Sequence, residues 1–140
     1  MMKKRIPLLA AVSMIAVIFA GCMEPGAAQS IKMVNDERLN RSIPLLEGNS
    51  TLTAKAQAWA EALASQGNLT HSNLADGTGP GWQALGENLA MAPTVDGAHD
   101  ELMHSPPHRA NMLSGRYSQV GVGVAQGNGG EVYVVQEFGG

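Results

Sequence analysis

Two histidines, His104 and His108, stand four positions apart on either side of a proline pair, in the stretch HSPPHRANML. On a single helix this spacing would put both imidazoles on one face, where they could hold a metal ion together. Proline disfavours the α conformation in the residue before it and costs about 3 kcal/mol inside a helix. The two histidines are therefore predicted to lie on different helices: His104 ends one, exposed to solvent, and Ser105 caps the next.

His108 falls in the first turn of this second helix, with Pro106 at the first helical position and Gly115 as its stop signal. The positive end of the helix dipole disfavours an imidazolium, so we expect a neutral ring that can accept a proton or bind a metal. Two further candidates are His71, which opens a glycine-rich loop, and Glu87 in GENLA. For Glu87, stabilisation of a first helical turn is the simpler interpretation.

The N-terminus has the pattern of an export signal, because Lys3, Lys4 and Arg5 precede an uncharged, mostly apolar run over residues 6–21. As a helix this run covers roughly 24 Å, less than the ~30 Å hydrocarbon core of a bilayer. It ends in FAGC, which resembles the lipobox of bacterial lipoproteins. The resemblance implies that Cys22 carries diacylglycerol, with acyl chains such as palmitate, and begins the mature protein. Cleavage after Ala28, which would discard the cysteine, is the alternative.

The chain of 140 residues has room for one compact domain. We predict an export signal over residues 1–21, a short tether over 22–29 and a domain over 30–140. Cys22 is the only cysteine, so an intramolecular disulfide is excluded. Without residues 1–21, six Lys and Arg face twelve Asp and Glu, a net charge of −6, which argues against nucleic acid and anionic lipid headgroups as partners.

Apolar periodicity predicts helices in the first two thirds of the chain and strands at its end. We expect helices from Ser30 to before Pro44, over TLTAKAQAWAEALASQG with Trp59 in the core, over GENLAMA, and over TVDGAHDELMH with His99 at the surface. QVGVGVA and EVYVVQEF are predicted strands, which QGNGG joins as a hairpin. Helices followed by strands indicate an α+β domain.

Five short motifs occur in order: LTHS, LGENLA, SPPHRANML, VGVGVA and VVQEFG. Together they resemble the bacterial form of the CAP superfamily, also called the SCP domain, over nearly all of residues 31–138. This superfamily contains cysteine-rich secretory proteins, antigen 5 of venoms and pathogenesis-related proteins of plants. The resemblance implies an α-β-α sandwich with a small antiparallel sheet and an open cleft lined by two histidines and acidic residues.

The residues that match the cleft motifs of that family are His71, Glu87 and His108. Eukaryotic members carry a second glutamate three positions before the last histidine, and Ser105 occupies that position here. Whether Glu101 replaces the missing acid stays open. The resemblance therefore implies a cleft with His71, Glu87, Ser105 and His108 at its surface.

Three functions fit these residues. The first is a non-enzymatic, lipid-anchored protein of the bacterial cell envelope, facing outside the cytoplasm, whose cleft binds a small molecule, a lipid or a partner protein. The second is a zinc-dependent hydrolase or peptidase, with His71 and His108 as metal ligands and Glu87 as the base. The third is a hydrogen-bonded structural network without a ligand. A nucleophilic enzyme fits poorly, because the sequence has no G-x-S-x-G motif and its only cysteine is acylated or removed. We expect the binding protein.

Overall fold

The computed structural model describes residues 23–140, so the predicted export signal and Cys22 lie outside the described residues. Helices and strands follow one another in this order: α1 (Pro25–Leu39), β1 (Glu47–Gly48), α2 (Ser50–Gln66), β2 (Leu85–Ala92), α3 (Val95–His104), α4 (Pro106–Leu113), β3 (Gln119–Gln126) and β4 (Val132–Gly139). None of the helices within residues 23–140 combines the length and the hydrophobicity that a membrane span requires.

The strands form one sheet in the order β1-β3-β4-β2, which leaves β2 at an edge. β1 pairs with β3 in parallel, and the other neighbouring strands pair antiparallel. Helix α2 covers one face of the sheet through an alanine- and leucine-rich stripe. Helices α1, α3 and α4 cover the other face. The α+β class and the three-layer α-β-α arrangement are confirmed, but the sheet is mixed and not wholly antiparallel, because β1 pairs in parallel with β3.

Helix α2 lies on β3 with almost no side chain between them. Gly121 and Gly123 alternate with buried valines, and a Cβ on either glycine would overlap the backbone of α2, at Leu52 or at Ala56. The valines point to the opposite face, where they pack against α1, α3 and α4. The repeated glycine in VGVGV therefore lets helix and strand backbones meet directly.

The other layer is held together by one buried cation, Arg38 at the end of α1. Its guanidinium donates hydrogen bonds to the carbonyl oxygens of Pro44, Met112, Ser114 and Tyr117, at 2.8–3.4 Å. Burial lowers the pKa of this side chain. Because these carbonyls belong to the loop after α1, the end of α4 and the approach to β3, Arg38 fixes three chain segments relative to one another.

The first helix begins at Pro25, five residues before the predicted Ser30, so most of the expected tether is helical. The Glu24 carboxylate accepts a hydrogen bond from the Ala27 N–H, and Pro25 occupies the first helical position. Ser30 is not a cap. Its hydroxyl is buried and accepts a hydrogen bond from Gln136 Nε2 at 3.1 Å. The prediction was wrong because it read small residues as flexible chain and overlooked the helix-starting proline.

The prediction of a short helix over GENLAMA was also wrong, because this segment is strand β2. Periodicity does not distinguish a short apolar helix from a short buried strand. Pairing decides the conformation here: β2 runs antiparallel to β4 along its whole length, with Glu87 opposite Glu137. Glu87 is therefore a buried strand residue, and it does not stabilise a helical first turn.

Local sequence signals identified α2, α3, α4, β3 and β4, whereas the two-residue strand β1 was not predicted. Asn49 caps α2 and Gly67 ends it in the left-handed conformation. The glycine-rich turn between β3 and β4 forms the predicted hairpin. His104 is exposed, as predicted, but His99 is not a surface residue, since it is 7 % exposed. Its Nε2 atom lies 3.8 Å from Glu37 Oε1 on α1, because α3 packs against α1.

The glycines under α2 generate a stability prediction. Gly121→Ala and Gly123→Ala should each lower the free energy of unfolding by about 1–3 kcal/mol, because the new methyl group must push α2 away from β3. Gly115→Ala is the matched control, since a Cβ there meets nothing within 4 Å. Denaturant unfolding of the three variants tests this. Equal stability of Gly121→Ala and Gly115→Ala would show that the helix is free to shift.

Candidate binding cleft

The candidate site is centred on the buried carboxylate of Glu87, which is 5 % exposed. Its Oε1 atom lies 2.6 Å from His71 Nδ1 and accepts a hydrogen bond from the Ser72 N–H at 3.0 Å. Its Oε2 atom accepts the Ser72 hydroxyl at 2.5 Å. The Glu87 side chain thus connects the edge strand β2 to the loop after α2. It also orients the His71 ring through the contact with Nδ1.

A second buried carboxyl group, Glu137, faces Glu87 across the β2–β4 pair. It is 1 % exposed, and its Oε1 atom lies 3.5 Å from Lys55 Nζ on α2. Burial, followed by the hydrogen bond and the negative charge of Glu87, raises the pKa of Glu137 to about 8, although Lys55 acts in the opposite direction. Glu137 is consequently a neutral acid at pH 7.

Glu87 responds in the opposite way to the same surroundings. Burial alone would raise its pKa, but the hydrogen bonds from Glu137, Ser72 and His71 outweigh burial and lower the pKa below its ordinary value. The two acids therefore share one proton at neutral pH, which resides on Glu137 while Glu87 is charged. This division avoids two adjacent buried negative charges.

Helix α2 contributes two further contacts to the loop that carries His71. Lys55 Nζ donates to the carbonyl oxygens of Asn73 and Leu74, at 2.9 and 2.7 Å. Trp59 Nε1 donates to the Thr70 carbonyl at 2.9 Å. Trp59 is only half-buried, packed against the edge of the core under α2 rather than inside it. These contacts and those of Glu87 fix the loop at four peptide units between residues 70 and 75.

His108 approaches β2 from the opposite face of the sheet, on the first turn of α4. Its Nδ1 atom lies 2.8 Å from Ser105 Oγ, so the Ser105 hydroxyl makes no capping hydrogen bond to the helix. Burial and then the electrostatic interaction with His71 lower the pKa of His108. This direction agrees with the expected neutral ring. Asn88 fastens the helix to β2 by donating to the His108 carbonyl at 3.0 Å.

The candidate residues line two hollows along successive stretches of β2. His71 and Glu87 line one of about 330 Å³, together with Asn111 and Tyr117. The other, of about 280 Å³, is lined by Glu101, Leu89, Met91, Ser105 and His108 among others. The structure thus brings His71 to Glu87 and His108 to Ser105, and it places Glu101 on the His108 side. The two imidazoles are not in direct contact.

The sequence analysis missed three polar residues that support the cleft: Lys55, Asn88 and Glu137. Tyr133, Val135 and Glu137 share one face of β4, so a glutamate at the end of a buried alternation was a detectable signal. Lys55 and Asn88 gave no local signal, because their partners are distant in the sequence.

The donor atoms do not fit a catalytic zinc centre. Such centres use three protein ligands, and within residues 23–140 no group of three His, Cys, Asp or Glu side chains is placed to hold a metal ion. Glu87 and Ser105 each engage an imidazole through Nδ1. The Nε2 atoms of His71 and His108 are then the only ring nitrogens of the cleft left to bind a metal ion. Two ligands are fewer than a catalytic zinc centre requires.

The shared proton predicts how stability depends on pH. Glu137 has a higher pKa in the folded protein than its ordinary value of 4.5, so its contribution is complete at low pH and is lost as pH rises through about 8. Wild-type protein should lose on the order of 1–3 kcal/mol of unfolding free energy between pH 6 and pH 9. Glu137→Gln should lose less, since an amide also donates to Glu87 and does not ionise.

Thermal unfolding across this pH range measures the effect, and Glu47→Gln, at an exposed carboxylate, is the control. Parallel pH curves for wild type and Glu137→Gln would contradict the shared proton.

Comparison with known proteins assigns this arrangement to a family. The sequence of residues 31–138 matches the CAP family, described as the cysteine-rich secretory protein family. No curated protein sequence shows significant similarity to the chain. Solved structures with the same fold include an extracellular protein of Bacillus anthracis that contains an SCP domain, with a TM-score of 0.71 and 23 % identity over 81 % of this chain.

An outer surface protein of Borrelia burgdorferi has a TM-score of 0.69 at 17 % identity, covering 80 % of this chain and 90 % of its own. The structure of NaASP2 with Zn²⁺ has a TM-score of 0.65 at 14 % identity, covering 85 % of this chain and 82 % of its own. The present chain spans only 39 % of the Bacillus anthracis protein. The family match over residues 31–138 covers more than half of the chain. The chain therefore belongs to the CAP family, the cysteine-rich secretory proteins.

Proposed function

We propose that this CAP-domain protein is exported, anchored to a bacterial membrane through a lipid on Cys22, and binds a ligand or partner in the cleft along β2. The proposal describes a binding protein and not an enzyme. Its localisation is supported by two proteins with the same fold, the extracellular protein of Bacillus anthracis and the outer surface protein of Borrelia burgdorferi.

One observation carries the binding role: exposed apolar side chains concentrate around the polar cleft. Of the six large hydrophobic residues exposed within residues 23–140, Leu69, Leu74 and Met91 line the two hollows beside β2. Each is at least 38 % exposed. Scattered surface leucines need no explanation, but apolar residues grouped at the rim of a polar hollow are typical of a binding site.

The two histidines supply the polar part of this site. The His71 ring directs Nδ1 to a charged carboxylate, which favours a proton on that nitrogen and leaves Nε2 as an acceptor. His108 directs Nδ1 to Ser105 and has a lowered pKa. The cleft therefore offers fixed hydrogen-bonding groups between apolar walls, which suits a ligand with both polar and apolar parts.

Protein-observed NMR with a library of small-molecule fragments tests this role. Fragments that bind should shift the methyl signals of Leu69, Leu74 and Met91. Leu39 and Leu45 are the matched controls, because they are exposed by 63 % and 53 % but lie away from the cleft. Shifts of similar size in both groups, or in neither, would contradict a binding site along β2.

The zinc-hydrolase alternative has a separate test. The cleft supplies two imidazole ligands, so protein dialysed free of loosely held metal should contain well under one equivalent of zinc. Elemental analysis of wild type and His108→Ala measures this. One equivalent of zinc that disappears in His108→Ala would restore the metallohydrolase.

The start of α1 supports processing at Cys22 over cleavage after Ala28. Glu24 caps the helix and Ala27 is buried at 1 % exposure. Cleavage after Ala28 would remove the cap, the first helical proline and this buried contact. Cleavage before Cys22 leaves the whole helix intact.

Lipidation predicts a change in mass and in partitioning. Wild-type protein from a producing bacterium should enter the detergent phase and carry a diacylglyceryl group at residue 22. Cys22→Ser should remain in the aqueous phase without that mass. An intact mass that corresponds to an unlipidated chain beginning at residue 29 would refute the anchor.

A further inference from the structure

The outer edge of β2, which has no neighbouring strand in the part of the chain that the structure describes, carries a regular row of backbone groups. Ala84 and Gly140 exchange two N–H···O bonds, at 2.9 and 3.0 Å, which fixes the alternation of the β2–β4 ladder. Even-numbered residues of β2 therefore direct their backbone groups to β4. The odd-numbered residues direct their N–H and C=O groups away from the sheet: Leu85, Glu87, Leu89 and Met91.

The first half of this edge is closed by side chains. The Tyr117 hydroxyl donates to the Leu85 carbonyl at 3.3 Å, and Asn111 Nδ2 lies 3.5 Å from the Glu87 carbonyl oxygen. These contacts prevent another strand from pairing there. They also hold α4 and the approach to β3 against β2.

The second half of the edge is unpaired, and it runs from Leu89, which is 6 % exposed, to Met91, which is 43 % exposed. Within residues 23–140 no group bonds to the outward N–H or C=O of Leu89 or Met91. β2 has neither lysine nor proline, residues that commonly protect exposed edges. The hollow of about 280 Å³ lies at this half, with Leu69 and His108 among its lining residues. The structure thus combines unpaired backbone groups with space beside them.

We infer that the unpaired edge of β2, at Leu89 and Met91, binds an extended peptide segment by strand addition in the hollow beside it. The inference rests on the proposed binding cleft and names the chemical class of its partner. Outward N–H and C=O groups spaced about 7 Å apart along a strand match the repeat of another extended backbone. A compact small molecule does not present donors and acceptors at this spacing.

The walls of the hollow indicate which peptide side chains fit. Leu69 and Met91 offer apolar contacts to residues that point to one side of an added strand. Glu101 and His108 offer a carboxylate and an imidazole at the same hollow, so a polar or basic residue suits the other side. Leu69 follows α2 and His108 belongs to α4, so the edge lies between side chains from both helical layers. This recess accommodates one strand better than the sheet edge of a second copy.

The test uses a pool of acetylated, amidated heptapeptides with threonine at alternate positions and all residues at the others. A matched pool carries N-methyl groups on alternate amides, which removes the main-chain donors. The ¹⁵N-labelled protein should show shifts of the Leu89 and Met91 amide signals with the first pool and none with the second. The strongest binders are then resynthesised singly.

Two variants separate edge pairing from side-chain contact. Met91→Pro removes the outward N–H without touching the β2–β4 ladder and should weaken peptide binding about 10-fold. Met91→Thr keeps the N–H and loses the same apolar side chain, so it should bind more tightly than Met91→Pro. The amide spectrum of β4 verifies that Met91→Pro is folded. Equal peptide affinities of the two folded variants would overturn strand addition. The N-methylated peptide pool tests strand addition independently, because it requires no change to the protein.

The outcomes also distinguish this inference from the proposed function. Fragments that shift Leu69 and Leu74, combined with no peptide-induced shift at Leu89 or Met91, would overturn the peptide partner and leave the cleft as a small-molecule site. A concentration-dependent dimer that Met91→Pro abolishes would assign the edge to a second copy and overturn the peptide. No response to either library would overturn both proposals.

Discussion

The direct contact between α2 and β3 is the constraint on which the rest of the structure depends. Gly121 and Gly123 leave no side chain between helix and strand, so α2 sits at a fixed height above the sheet. At that height Lys55 Nζ reaches Glu137 as well as two carbonyl oxygens of the loop after the helix. If methyl groups at positions 121 and 123 moved α2 away from the sheet, the Lys55 ammonium group would move away from Glu137 and from the two loop carbonyls. The position of the His71 loop is thus set by two glycines that lie in a different part of the chain.

The buried charges of the cleft are arranged so that few of them are isolated. A buried carboxylate is costly unless it is hydrogen-bonded, and Glu87 meets this condition through Ser72, His71 and the proton of Glu137. Lys55 balances the charge from the α2 side. The same groups both stabilise β2 against β4 and orient the loop. A change at any one of them therefore alters folding and cleft geometry together.

The predictability of each element depended on whether its determinants are local. The cap and stop residues of α2 flank that helix directly, and α4 begins at its own proline, so the sequence analysis located both helices. β2 was mistaken for a helix because its conformation depends on β4, whose paired residues are 40 to 54 positions away. Motif resemblance selected His71, Glu87 and His108 without revealing what contacts them. Glu137 was missed because its effect arises only when β4 places it opposite Glu87.

The N-terminal helix has a consequence for where the protein can act. Because α1 begins at Pro25, only Met23 and Glu24 separate it from Cys22, a distance of at most about 11 Å along an extended chain. An acyl chain on that cysteine would hold the domain flush with the lipid surface, with little freedom to tumble or reach outward. The cleft would then stay close to the bilayer surface, so it would reach only partners that are themselves near that surface.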